Sequence, residues 1–318
     1  DTRLLLKFFS HILECFPLKI RPVAIAFILL SFFWGYSWVF MKIGLADSGP
    51  FAFAGQRTFV GSLFLLCFVV VMKRPLELHR YKEILLLGVF NTVGCVGFSQ
   101  LSLVNAEASR AAILMFTYPF WTLLLAWPIL NERIKPFQWA AIILTFPGLM
   151  FVLKPWSIDG QLYGCISALC GAFSWAIASI LIKQMLARKS IDLLSLTAWQ
   201  MAFGSLCLLF IAWVSGESLP TYTSRFIIAL FATGIVSTGL GWLLWVYLLD
   251  KLTAGTTSMM TLLVPIIAIL SSAWHLGESI SPDDWLGITM ILLALSCLTF
   301  SSFKHHRGNR LNALSKED

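Results

Sequence analysis

Charged side chains are scarce in this chain. Asp, Glu, Lys and Arg together make up 12% of its 318 residues, about half of the roughly 25% that is usual in soluble proteins. Apolar residues make up 58%, and the mean hydropathy is +0.82. This shortage of charge excludes a soluble globular protein and predicts a membrane protein.

The sequence also lacks the motifs of common enzymes. It contains no HExxH sequence, no Gly-rich phosphate-binding loop and no acidic residue at the centre of an apolar stretch. Of the five His residues, only His275 lies near the end of an apolar stretch, and the seven Cys residues form no CxxC pair. We therefore expect no catalytic activity, no cofactor, no metal site and no ATP hydrolysis by this chain.

Ten apolar stretches are long enough, or nearly so, to cross about 30 Å of hydrocarbon as helices. The connections between them are short and leave no room for a separate soluble domain. The sequence therefore predicts an all-α polytopic membrane protein with ten transmembrane helices. The predicted spans are residues 22–42, 51–72, 84–103, 109–130, 137–153, 162–182, 192–213, 226–248, 253–275 and 284–303.

Basic residues are unevenly distributed between the loops. The net charge of +7 would allow nucleic-acid binding, but most of the 23 Lys and Arg residues lie before span 1, after span 10 or in alternate loops. Only Arg110, at the very start of span 4, and Lys154 and Arg225 lie on the side of the remaining loops. By the positive-inside rule, the basic segments face the cytoplasm. We therefore expect both termini in the cytoplasm and no nucleic-acid partner.

The two halves of the chain repeat each other. Segments 132–139 and 278–285 share Glu, Ile, Pro and Trp at identical spacing, 146 residues apart. The tripeptide that begins at Gly61 recurs at Gly204, 143 residues later. The chain is therefore a tandem duplication of a unit of about 140 residues.

Each unit contains five predicted spans, which is an odd number. A second copy that follows directly must enter the membrane upside down, with Glu132 in an inner loop and Glu278 in an outer loop. Such inverted repeats provide two nearly equivalent conformations, open to opposite sides, with a substrate site near the midplane between the halves. The duplication therefore predicts alternating access.

These features resemble the drug/metabolite transporter superfamily, specifically its EamA type with two five-helix domains. The resemblance rests on Trp34-Gly35 in span 1, Arg57 in span 2 and the Glu-x-x-x-Pro-x-x-Trp segments after spans 4 and 9, and it covers roughly residues 22–303. It implies a ten-helix carrier of a small metabolite, often an amino acid or related solute, and usually an exporter in a bacterial inner membrane. The second half departs from the first at Gln200, which replaces Arg57.

Five segments are expected along the chain. The N-terminal segment, residues 1–21, lacks a small-residue cleavage site, so we interpret it as interfacial rather than as a signal peptide. The segments are a cytoplasmic or interfacial stretch at 1–21, a first repeat at 22–153, a linker at 154–161, a second repeat at 162–303 and a basic cytoplasmic tail at 304–318.

Candidate substrate-binding residues are polar and aromatic side chains near the centres of the predicted spans. Arg57 lies about six residues inside span 2, roughly 9 Å from its outer end, and a charge at this depth should face the protein interior or a wet cavity. It is a candidate anchor for a substrate carboxylate, or else a structural tie to helix carbonyls. The full set is Trp34, Tyr36, Arg57, Asn91, Thr92, Tyr118, Trp175, Ser237, Thr238 and Trp242.

A second set of residues is assigned to gating or structure. Pro119 and Pro265 interrupt spans 4 and 9 at matched positions, where freed carbonyls must be satisfied by neighbours, water or ligand. Lys42 and Lys183 end their helices at opposite faces, as interfacial anchors or as gates.

Glu132 and Glu278 belong to this second set as well. Each precedes the proline that would start the last span of its half. We expect both carboxylates to hold tight turns by hydrogen bonding and to oppose a helix dipole, with proton coupling as the alternative.

The leading hypothesis is a secondary transporter of a small metabolite, with an amino acid or related solute as substrate and export as its direction. An apolar, aromatic site with one cation suits a zwitterionic or anionic molecule that has an apolar part. The alternatives are a carrier of lipid- or nucleotide-linked metabolites, an intramembrane enzyme and a channel. We expect a monomer or a weak homodimer in the lipid bilayer, and the sequence leaves a coupling ion open.

Overall fold

In the computed structural model, the described residues are 21–76, 80–131, 133–134, 136–154, 160–188, 192–251 and 263–297. Within these ranges the chain forms ten helices and no strand. Eight helices have the length and hydropathy of a membrane span, and the described parts of the last two are shorter. The prediction of an all-helical polytopic membrane protein is confirmed. The helices are α1 (Arg21–Gly44), α2 (Pro50–Val71), α3 (Tyr81–Asn105), α4 (Ala108–Leu130), α5 (Pro136–Leu153), α6 (Leu162–Arg188), α7 (Leu193–Val214), α8 (Ser224–Phe231, Ala232–Leu240 and Gly241–Lys251), α9 (Leu263–His275) and α10 (282–297).

Helix starts follow local sequence signals. Pro50 and Pro136 occupy the first positions of α2 and α5, where the missing N–H of proline costs nothing because no helical carbonyl precedes it. Asp192 caps α7 by accepting a hydrogen bond from the Ser195 amide at 2.8 Å. In hydrocarbon every other backbone group must be paired within its own helix, so apolar runs of this length form helices.

The second half of the chain is inverted relative to the first. Helices α2 and α7 are repeat equivalents and pack against each other in opposite directions. The Glu217 carboxylate, just beyond the end of α7, accepts from the Ala52 amide at the start of α2 at 2.8 Å. At the other end, Arg74 follows α2 and donates to Asp192 before α7 at 3.2 Å. Equivalent helices that run antiparallel require two halves of opposite orientation.

Two equivalent helix crossings join the halves through glycines. A Cβ at Gly61 of α2 would lie 2.7 Å from the Gly234 carbonyl of α8, and a Cβ at Gly204 of α7 would lie 3.0 Å from the Gly88 carbonyl of α3. Neither contact leaves space for a side chain, so the backbones approach closely, as is common in membrane helix packing. The repeat of this contact makes the interface nearly two-fold symmetric.

Two helices at this interface change their winding at equivalent places. Helix α3 is π-helical over Gly88–Gly97, and α8 is π-helical over Ala232–Leu240. Wider winding of this kind is rare and is often found at functional sites. Both segments lie at the middle of the bundle, beside the glycine crossings.

Candidate functional site

A cavity of about 130 Å³ lies between the two halves of the bundle. Helices α1 to α4 line it from the first half, and α6, α7 and α8 line it from the second. Both π-helical segments contribute to its wall. Seven of the ten residues predicted to bind substrate line this cavity: Trp34, Arg57, Asn91, Trp175, Ser237, Thr238 and Trp242.

Arg57 supplies the positive charge of the cavity. Arg57 is 7% exposed, and its Nε has no hydrogen-bond acceptor among the described residues. No Asp or Glu is among the described side chains that line the cavity. A buried guanidinium without a carboxylate partner is costly in this setting, and an anionic ligand would offset that cost.

Trp34 ties one wall of the cavity to the opposite half. Its indole Nε1 donates to the Ser237 carbonyl of α8 at 3.1 Å. Its ring lies 5.8 Å from that of Trp242, with the planes 62° apart. The contact combines a hydrogen bond with an edge-to-face aromatic pair, so it fixes the position of α1 against α8.

Trp175 forms the aromatic wall on the other side. The Tyr118 ring stacks behind it at 3.8 Å with the planes 20° apart, and Phe116 meets it edge-on at 6.0 Å. Helix α4 consists of two pieces, Ala108–Met115 and Tyr118–Leu130, with Pro119 in the first turn of the second piece. The break at this proline is what brings Phe116 to the cavity and Tyr118 against Trp175.

Three predicted binding residues do not line the cavity. Tyr118 supports Trp175 from behind. Tyr36 forms a hydrogen bond of 2.6 Å between its hydroxyl and Nδ1 of His275. Thr92 donates from its hydroxyl to Oε1 of Gln200 at 2.8 Å. Gln200, the equivalent of Arg57, is therefore engaged by a neighbouring helix, and the cavity is asymmetric in charge.

One end of the bundle is closed by polar contacts between the halves. We call the end that carries loops 45–49, 106–107, 215–223 and 276–281 the closed face. Here Glu278 accepts from the amides of Ala108 and Ser109 and from the Ser109 hydroxyl, at 2.6 to 3.0 Å. This carboxylate of the second half thus caps the N-terminus of α4 in the first half.

Two further groups lie beside this cap. Lys42 donates to the carbonyls of Leu103 and Ala106 and so joins the end of α1 to the end of α3. Burial, and next the charge of Glu278, raise the pKa of Glu107 above its usual value. The closed face therefore holds partly buried lysine and carboxylate groups close together.

A buried ion cluster also crosses the closed face. We call it the clasp; it consists of Arg110, Lys154, Ser281 and Asp284. Oδ2 of Asp284 accepts from Arg110 and from Lys154, each at 3.2 Å, and from Ser281 at 2.7 Å. The Asp284 side chain is 3% exposed, so the clasp links α4 and the end of α5 to the start of α10 in a region of low dielectric.

A second ion pair on the closed face joins an exposed arginine to a shielded aspartate, with side chains 59% and 6% exposed. Asp47 accepts from Arg225 at 2.6 and 2.7 Å and from the Thr223 hydroxyl at 2.6 Å. These hydrogen bonds, first from Arg225 and then from Thr223, lower the pKa of Asp47 to about 2. The pair joins the loop after α1 to the first turn of α8.

The remaining gating and structural candidates lie apart from the cavity. Lys183 is exposed on α6, and Pro265 is buried in the first turn of the described part of α9. Glu132 falls outside the described residues. No group of three or more His, Cys, Asp or Glu side chains that could hold a metal ion is found in the ranges that the structure describes.

Sequence reasoning missed several lining residues and the clasp. Ser37 lies three positions after Trp34 and therefore on the same face of α1. Cys95 and Ser99 follow Asn91 at steps of four residues along α3. Helical periodicity could therefore have indicated all three residues. For Asp284 the signal was the Ser-x-x-Asp capping box at the start of α10. That signal indicates the local cap but not the two distant cations.

Comparisons with known proteins agree with this architecture. An uncharacterized transporter of Bacillus subtilis (strain 168), YoaV, is 27% identical over 286 residues, 88% of this chain and 97% of that protein. A probable amino-acid metabolite efflux pump of Escherichia coli (strain K12) is 27% identical over 289 residues, 86% of this chain and 94% of that protein.

One solved crystal structure has the same fold, with a TM-score of 0.64 at 14% sequence identity, over 89% of this chain and 98% of that chain. The EamA-like transporter family matches the sequence twice, over residues 21–154 and again over 162–300. Each match spans five of the ten helices, and together they cover most of the chain. The chain therefore belongs to the EamA-like transporter family.

Proposed function

We propose that the protein is a secondary transporter that carries a small carboxylate-bearing metabolite, an amino acid or related solute, by alternating access. Export is the proposed direction, and a bacterial inner membrane is the proposed location. Relatives in Escherichia coli and Salmonella typhimurium are named probable amino-acid metabolite efflux pumps, which supports the solute class and the direction. The proposal assigns no cofactor and no catalytic step to the chain.

The proposed orientation has both termini in the cytoplasm, so that the closed face is the outer face. The excess of Lys and Arg in the loops at the opposite end supports this orientation. The cavity is then closed to the outside by the clasp and by Glu278, and substrate enters it from the cytoplasmic side.

Alternating access requires that these contacts break when substrate is bound. The two glycine crossings, at Gly61 and Gly204, provide a nearly symmetric pivot on which the halves can exchange roles. Substrate bound between Arg57 and the aromatic walls would favour closure of the cytoplasmic side, because both halves contribute to the cavity. Release outside then follows opening of the clasp.

The buried guanidinium of Arg57 is the observation that carries this proposal, because no acidic residue is among the described side chains that line its cavity. A hydrogen bond to a charged group contributes about 1.5–3 kcal/mol, equivalent to roughly 10- to 150-fold in affinity. In proteoliposomes tested with a panel of amino acids and related acids, Arg57→Gln should lower kcat/KM for the transported solute by at least about tenfold, and Arg57→Lys should retain part of it.

A matched control is Lys82→Gln, which removes an exposed charge from the start of α3 and should leave transport unchanged. Equal yields of the three variants in the membrane exclude an insertion defect. Unchanged kinetics in Arg57→Gln would remove Arg57 from the site. Absence of gradient-driven or exchange flux for every solute would count against a carrier of this class.

A further inference from the structure

The middle of the bundle holds a cation without a side-chain counter-charge. Arg57 is the one charged group among the described side chains that line the cavity. The described acidic residues lie in loops or in the first or last turn of a helix, as Asp192, Glu217 and Asp284 do. Residues 252–262, outside the described ranges, include no Asp or Glu in the sequence.

Two serine hydroxyl groups of the cavity add hydrogen-bond acceptors but no charge. Ser37 donates its proton to the Trp34 carbonyl at 2.7 Å, and Ser99 donates to the Val96 carbonyl at 2.8 Å. With their protons used by the backbone, these hydroxyl oxygens retain lone pairs for a donor on the ligand. A neutral donor such as an O–H or an amide N–H can be bound there without bringing in a second charge.

The net charge of the occupied cavity depends on the type of ligand. A monoanionic carboxylate neutralises Arg57, whereas a zwitterion leaves one positive charge unbalanced in a region of low dielectric. The rings of Trp34, Trp175 and Trp242 could attract an ammonium group, but this attraction is weaker than that of a carboxylate partner. Neutralisation therefore favours a ligand without a free ammonium group.

We infer that the cavity selects monoanionic carboxylates that carry a neutral hydrogen-bond donor in place of the ammonium group, over zwitterionic amino acids of the same size. The inference rests on the proposed function, because it assumes that the cavity is the transport site. A cavity of about 150 Å³ accommodates benzene, so the 130 Å³ here suits small acids with a branched apolar part.

Three nearly isosteric probes test the inference. They are L-valine, a zwitterion; (S)-2-hydroxy-3-methylbutyrate, a monoanion; and L-valinamide, a cation. Flux is measured in proteoliposomes, with passive flux in protein-free liposomes subtracted, and binding is measured by tryptophan fluorescence. We expect the hydroxy acid to exceed valine by at least tenfold in kcat/KM and in affinity, and valinamide to be excluded.

The Arg57→Gln variant should lose this preference, and Lys82→Gln should keep it. Transport of valine at a rate equal to or above that of the hydroxy acid would overturn the inference and leave the proposed function standing. Neither binding nor flux of any of the three probes would overturn the inference, whereas the proposed function fails only if the whole solute panel shows no flux. A tenfold preference that persists in Arg57→Gln would also overturn the inference, because the selectivity would then arise elsewhere.

Discussion

The ring of Tyr118, from the first half of the chain, lies 3.8 Å from the ring of Trp175, from the second half, with the planes 20° apart. Trp175 lines the cavity and Tyr118 supports it from behind, so the stack couples the shape of the site to the contact between the halves. Helix α4 is broken beside Pro119, and this break places Tyr118 against Trp175. The coupling therefore depends on the break in α4 as well as on packing.

Loss of the stack should weaken transport. An aromatic pair contributes about 0.5–1.5 kcal/mol beyond its buried area, so Tyr118→Leu should raise the apparent KM by roughly two- to twelvefold, and Tyr118→Phe should have little effect. Trp127→Leu is the control, because Trp127 is half exposed on the outer surface of α4. Equal kinetics in Tyr118→Leu and wild type would show that the stack does not shape the site.

Disruption of the clasp should open the closed face. Asp284→Asn leaves the cations of Arg110 and Lys154 without their shared carboxylate, and removal of one partner from a buried pair costs about 3–5 kcal/mol. Labelling of Cys95, which lines the cavity, by a membrane-impermeant maleimide added on the side of the closed face should become faster. Asp283→Asn changes the exposed neighbour and should not alter the rate; a rate that rises equally in both variants would contradict the role of the clasp.

The Asp47–Arg225 pair predicts a specific pH dependence. The pKa of Asp47 is lowered to about 2, so its contribution to stability is complete above the unfolded-state pKa of about 3.9 and is lost as the pH falls towards 2. In detergent, Asp47→Asn should lower Tm by a constant amount between pH 7 and 5. The difference from wild type should shrink below pH 4, and a difference that grows there would refute the assignment.

The two glycine crossings should be equally sensitive to substitution. Gly61→Ala and Gly204→Ala each force a methyl group against the backbone of the opposite half, and overpacking costs about 1–3 kcal/mol. Both variants should lower Tm by similar amounts. Leu63→Ala and Leu206→Ala are matched controls, since these equivalent side chains lie exposed two residues further along α2 and α7. A large effect at one glycine only would contradict the near-symmetry of the interface.

Much of the architecture could be predicted from the sequence. The apolar runs predict where the helices lie, because hydrocarbon permits few other backbone structures. The odd number of spans in each repeat predicts that the second repeat is inverted. Arg57 was predictable as a cavity residue because an arginine in mid-membrane must face inward. Trp34 and Trp175 followed from their equivalent positions near span centres.

Other features depend on three-dimensional contacts that sequence rules do not encode. Tyr36 is two residues from Trp34, or about 200° around the helix, so both cannot face one cavity. The clasp joins Arg110 to Asp284 across 174 residues, and neither residue alone differs from an ordinary helix-end charge. No pattern of composition indicates the π-helical winding of α3 and α8.

In the proposed mechanism, the cavity between the inverted halves opens alternately to each side of the membrane around a bound solute. Cys95 lines that cavity and can serve as a reporter in a chain whose other six cysteines are replaced by alanine. We expect a membrane-impermeant maleimide to modify Cys95 from either side in separate experiments, and saturating transported solute to slow both reactions. Modification from one side only under all conditions, or rates that the solute does not change, would contradict it.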